Sequence, residues 1–145
     1  MLHADFTIVD RHGAPVAMVV VKSRRETSRA WAIGLWNNLF AHANAFLPAP
    51  YFLVATLDRL FLWRNAGERQ APEPDVELDL RPVLRQYFEK AEPGTISGMA
   101  FELLVEAWLS DLTRLEDTSS GPRALEESGL LASIQNGRIA HSVAA

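Results

Sequence analysis

The chain has 145 residues, 48% of them apolar and 22% charged, with a formal net charge of −4; that is enough for one domain with a real core. It contains no cysteine, which excludes a disulfide framework, a thiolate metal site and a thiol nucleophile. No apolar run approaches the roughly 18 residues that cross a bilayer, and "MLHADFTIVD" carries aspartates where a signal peptide carries basic residues; the expectation is a cytoplasmic chain with no membrane partner.

"ADFTIVDRHGAPVAMVVVK" reads as a β-hairpin. Phe6, Ile8 and Val9 form a short first strand, Gly13 and Pro15 belong to the turn, and residues 16–21 form a continuous β-branched run, the pattern of a strand covered on both faces. A helix follows, capped by Thr27 or Ser28, with Trp31, Leu35, Leu39, Trp36, Phe40 and Ala43 at helical spacing and "LPAP" stopping it near residue 47. Two apolar strands, 51–56 and 60–63, flank an "LDR" turn. Strand, helix, strand in this order implies a right-handed crossover that sets 51–56 parallel to 16–21.

Residues 65–77 are polar and rich in proline, so a loop is expected over 65–80. "RPVLRQYFEKA" reads as a short helix. "SGMAFELLVEAWLSDLTRL" reads as a longer one, with Ala100, Leu103, Leu104, Ala107, Trp108, Leu112 and Leu115 on its apolar face. "GPRALEESG" forms a third piece, with Pro122 near its start and Gly129 at its C-cap. "NGRIAHSVAA" reads as a short strand or a frayed tail. The fold class is therefore α/β or α+β: a single domain over 1–145, with an αβ core over 1–64, a loop, and a helical layer over 81–145.

Sequence motifs narrow the chemistry. There is no GxGxxG, Walker loop or HExxH, and the serines lack a nucleophile elbow. His3, His12, His42 and His141 are scattered, with no pair at metal-ligand spacing. Charge is uneven: residues 1–30 carry +2 and the remainder −6. Lys22, Arg24, Arg25 and Arg29 gather around a helix start, where they suit contacts to the phosphates of DNA or RNA. Asp5 opens the hairpin and Lys22 closes its second strand, so the two converge at one edge. That placement suits phosphodiester hydrolysis, in which a carboxylate holds Mg²⁺ or Mn²⁺ and a lysine positions the attacking water. Lys22 equally suits a plain strand end, with its stem packed and its ammonium in water.

The run "ADFTIVDRHGAPVAMVVVK", a long helix and "APYFLVATLDRLFLWR" together resemble the PD-(D/E)xK, or restriction-endonuclease-like, nuclease superfamily. The resemblance is closest to a subgroup of small proteins, covering residues 4 to 64 in detail and "LLVEAWLSDL" and "EESGLLASIQNGRI" more loosely. It implies that Asp5 binds the metal, that an acid two residues before the lysine binds it too, and that Lys22 supports the water. The middle position is Val20, and valine binds no metal. Glu26, four residues past Lys22, is the nearby replacement acid; it is also placed to pair with Arg25 or Arg29. The family core begins with a helix and a strand ahead of the hairpin, so the resemblance implies a core shortened at its N-terminus.

Three functions follow as expectations. The leading one is a degenerate, catalytically inactive nuclease-like domain that keeps a nucleic-acid-binding or interaction role and needs no cofactor. The second is an active Mg²⁺- or Mn²⁺-dependent endonuclease using Asp5, Lys22 and Glu26. The third is a structural homodimer module, associating through an open sheet edge beside the hairpin and through the helix aromatics Trp31, Trp36, Phe40 and Phe46.

Overall fold

A computed structural model describes residues 4–40, 49–66, 72–87 and 98–141. A six-stranded mixed sheet organises them, in the order β5-β4-β3-β2-β1-β6. The hairpin is β1 (Phe6–Val9) and β2 (Pro15–Val21), paired antiparallel with Phe6 opposite Val19. Asp10 closes its turn by accepting the N–H groups of His12 and Ala14, at 2.8 and 2.9 Å, while Gly13 takes φ 85°.

Helix α1 (Arg29–Phe40) makes the crossover, and β3 (Tyr51–Ala55) lies parallel to β2 with Val20 opposite Val54, as the strand–helix–strand order requires. Ser28 caps α1, its hydroxyl accepting the Trp31 N–H at 3.2 Å. The stretch expected to carry the helix to residue 47, including Phe46, lies outside the described residues. β4 (Arg59–Arg64) returns antiparallel beside β3.

Burial on both faces accounts for the apolar runs. From β2, Met18 and Val20 face α1, where they join Ala32, Trp36, Phe52, Val54, Phe61 and Trp63. Ala17 and Val19 face the opposite layer, which is built from the C-terminal helices. Aromatic packing fixes the α1 side: Trp36 stacks on Trp63 at 5.4 Å between ring centroids and 22° between planes. Of the helix aromatics, Trp36 is a core side chain and Phe40 is half-buried against that core, the use expected for most of them ahead of self-association.

The second layer holds α2 (Arg81–Tyr87), α3 (Gly98–Thr113), α4 (Arg123–Glu127) and α5 (Leu130–Ile134), with a 3-10 turn at Thr118–Ser120. Gly129, expected as a C-cap, takes φ 88° one residue past the α4 C-cap, Ser128, and itself caps the start of α5.

Three expectations need correction. The 65–80 loop contains an edge strand, β5 (Val76–Asp79), paired with β4. Its acidic sequence gives little strand signal; pairing with β4 and packing of Val76 and Leu78 on the core supply what propensity lacks. The apolar face of α3 is rotated: Phe101, Leu104, Val105, Trp108, Leu109 and Leu112 are buried, whereas Ala100, Leu103 and Ala107 are exposed. Burying Phe101, Val105 and Leu109 removes more apolar area from water than burying Ala100, Leu103 and Ala107 would. Finally, the outer edge of β1 is not open. The tail segment forms β6 (Arg138–Ala140), antiparallel to β1, with Ile8 opposite Ile139. The open edge invoked for a homodimer is therefore covered.

Candidate functional site

The C-terminal end of β2 feeds a loop, residues 22–28, that runs to the start of α1. Crevices beyond the carboxyl ends of sheet strands are where ligands commonly meet a sheet with parallel strands. Here Lys22, Ser23 and Arg24 from the loop, with Trp31, Leu35 and Asn38 from α1, line an open groove of about 640 Å³. The start of α3 abuts the same loop: a Cβ placed on Gly98 would stand 3.1 Å from the Ser23 Oγ. Two cations line the groove, and no acid does among its described residues.

The loop is tied down from below by the β3–β4 turn. Asp58 accepts the hydroxyls of Thr27 and Thr56 at 2.6 and 2.8 Å and the Thr27 N–H at 3.2 Å. The two hydroxyl oxygens lie 2.9 Å apart, so either proton can turn from Asp58 to the other hydroxyl, and both threonines are buried, at 3% and 0% exposure. The Leu57 N–H donates to the Arg24 carbonyl at 3.0 Å and the Lys22 N–H to the Ala55 carbonyl at 2.9 Å. Burial would raise the Asp58 pKa, but the donors from Thr27 and Thr56, helped by the Arg59 charge, outweigh it and hold the carboxyl below its ordinary value. The "TLDR" turn, with an acid two residues after a threonine, is the one sequence signal of this anchor.

Asp5 and Lys22 both lie at the C-terminal end of β2, as the hairpin register requires, with Val20 in the core and Glu26 in the loop beyond. Asp5 lies where the hairpin opens: its N–H donates to the Val19 carbonyl at 2.9 Å, and its carboxylate accepts the Val21 N–H at 2.6 Å. One oxygen of Asp5 therefore serves as a strand partner. Val20 is 5% exposed and packed in the α1-side core. Lys22 is exposed in the groove.

Glu26 is exposed, with its backbone in the left-handed region at φ 57°, a conformation a non-glycine residue adopts only when its surroundings impose it. Of the two arginines expected to pair with Glu26, Arg29 pairs with Glu77 of β5 at 3.2 Å, and Arg59 meets the other Glu77 oxygen at 3.2 Å. Strand β5, absent from the sequence reading, supplies this stronger competitor. Of the four expected phosphate contacts, Lys22 and Arg24 share the groove, Arg29 is committed to Glu77, and Arg25 is exposed outside the lining. Among the described residues no three His, Asp or Glu side chains form a metal-holding group.

A second charged cluster sits between the sheet and α3. His141 bonds Glu106 at 2.7 Å. Glu102, one turn earlier, is pushed up by burial and by repulsion from Asp5 and Glu106, partly offset by His141. His12 is exposed and bonded by Arg11 at 3.3 Å; His3 and His42 lie outside the described residues. Among the described residues no helix is long and apolar enough to cross a membrane. In comparison with protein-family models, curated proteins and solved structures, nothing matches this chain.

Proposed function

We propose that this chain is a nuclease-derived domain without phosphodiesterase activity that binds nucleic acid through the Lys22–Arg24 groove. The observation that carries the reading is a groove with two cations and no acid among its described lining residues, which attracts phosphate and has no carboxylate there to repel it. Two further features favour loss of catalysis. Val20 stands where the PD-(D/E)xK resemblance expects the second carboxylate, and its side chain is packed in the core. The Asp5 carboxylate has one oxygen engaged by the Val21 backbone N–H, which leaves it less free to hold a divalent cation.

Binding is measured by anisotropy of labelled DNA and RNA oligonucleotides from 20 to 200 mM salt. Two phosphate contacts predict a log–log salt slope of about −1.5 and a Kd on the order of 10⁻⁴ to 10⁻⁶ M. Lys22→Ala should reduce the slope by about 0.7 to 0.9. Absence of binding at 20 mM salt refutes the reading. Cleavage of the same oligonucleotides by the wild type with Mn²⁺ refutes the loss of activity, and its loss in Asp5→Ala, Lys22→Ala and Glu26→Gln would assign it to the active alternative.

A further inference from the structure

The groove contains more than charge. Trp31 is half-buried on its wall, held from the core side by Phe61 with ring centroids 6.0 Å apart. The Arg24 guanidinium carbon lies over the indole, 5.8 Å from the ring centroid. The other three tryptophans, Trp36, Trp63 and Trp108, are no more than 5% exposed. A rigid, partly open aromatic face beside exposed cations adds little to contacts with a duplex, whose bases are paired inside and whose phosphates ask only for charge. It suits an unpaired base, because every base presents a π-face and stacking tolerates any sequence.

The dimensions agree with that use. A base seated between the indole and the guanidinium needs two van der Waals spacings of about 3.5 Å, or about 7 Å in all. Arg24 is exposed, with its guanidinium carbon 5.8 Å from the ring centroid, so an outward swing of its side chain opens that space. Lys22 and Asn38 flank the same groove, offering a cation to a phosphate and an amide to a base edge.

Resting on the nucleic-acid reading above, we infer that the ligand is a single-stranded polynucleotide, with Trp31 as the stacking platform for one base and Arg24 as its cover. The test titrates the intact chain with dT20, rU20 and a 20-base-pair DNA duplex at 20 mM salt. It follows tryptophan emission together with anisotropy of the labelled oligonucleotide.

Both single strands should quench tryptophan emission and bind at least tenfold tighter than the duplex. Trp31→Ala should weaken single-strand binding by about 5- to 150-fold, the range set by base–aromatic stacking, with little effect on the duplex. Trp31→Phe keeps a π-face; it should retain most of the affinity and lose the quenching, which separates stacking from misfolding. Quenching by only one of dT20 and rU20 would assign the sugar chemistry within the same inference. Equal binding of single strands and duplex without quenching overturns the inference and leaves the nucleic-acid reading standing. Absence of binding to any of the three overturns both.

Discussion

Replacing Asp58 with alanine removes the anchor beneath the groove. The substitution deletes the acceptor of two hydroxyls and one backbone N–H, at 2.6, 2.8 and 3.2 Å. Hydrogen bonds to a charged acceptor contribute about 1.5 to 3 kcal/mol each, and an unpaired buried donor costs about 1 to 3 kcal/mol. The terms do not add here. Without Asp58, the Thr27 hydroxyl can donate to the Thr56 oxygen, 2.9 Å away, and the Thr56 hydroxyl to the Arg59 carbonyl at 3.1 Å. The Thr27 N–H is the donor left without its partner, and Asp58 is only half-buried, so water can replace part of what is lost.

The expected destabilisation by Asp58→Ala is therefore about 2 to 3 kcal/mol, or a Tm lower by about 5 to 10 °C for a chain of this size. Urea unfolding should show a lower midpoint at unchanged slope. A cycle with Thr56→Val should give a coupling of about 1 kcal/mol.

The pH dependence has a definite sign. Asp58 titrates lower in the folded chain than its ordinary value of 3.8. Its charge-assisted bonds thus contribute fully above that value and are lost as pH falls through the folded pKa. The gap between wild type and Asp58→Ala should narrow in that acid window. A loss under about 0.5 kcal/mol at pH 7, within the usual scatter of surface substitutions, would refute the argument. Because the Leu57 N–H holds the Arg24 carbonyl, the variant should also bind oligonucleotides more weakly.

Three other perturbations probe separate parts of the fold. Glu102→Gln should stabilise the chain at pH 7 by under about 1 kcal/mol. Burial and the charges of Asp5 and Glu106 raise the Glu102 pKa above 4.5, so its penalty appears as pH rises through the folded value, and urea midpoints of the two proteins should converge below about pH 4. Gly137→Ala should cost about 2 kcal/mol or more, because a Cβ there meets the Val9 carbonyl oxygen at 2.0 Å; amide exchange in β6 should rise first, and an unchanged exchange pattern would contradict the close approach. Arg81→Met should move the Asp79 midpoint in a carboxylate NMR titration up from about 2, where hydrogen bonds from the Arg81 guanidinium and N–H hold it. The Asp79 contribution to stability is present above 3.8 and lost as pH falls through about 2. An unmoved midpoint would remove Arg81 as the cause.

Much of the architecture was legible because local signals agreed with their tertiary use. The "VAMVVV" run is apolar on both faces since α1 covers one side and the C-terminal helices the other. "DRHGAP" carries an Asp that bonds two backbone N–H groups and a Gly at positive φ, so the hairpin turn is written in four residues. The candidate site was half legible. Lys22 and Arg24 were identified as surface cations of one loop, and both do line the groove. Sequence distance offers Glu26 both Arg25 and Arg29 as partners, and for Arg29 a spatial neighbour, Glu77, takes that place.

Periodicity and turn chemistry in the sequence by themselves determined the hairpin, the crossover, the parallel pairing of β2 with β3 and the helical C-terminal half, because each depends on residues within one or two elements. Only the tertiary structure decided the rest. It selected which of two overlapping stripes α3 buries, since both satisfy helical spacing and the layer with the larger side chains wins. It made strands of residues 76–79 and 138–140, whose hydrogen bonds are satisfied by partners far along the chain. It also joined Thr27 to Asp58 across 31 residues, an anchor that no local pattern specifies because its energy exists only once sheet and helix are packed.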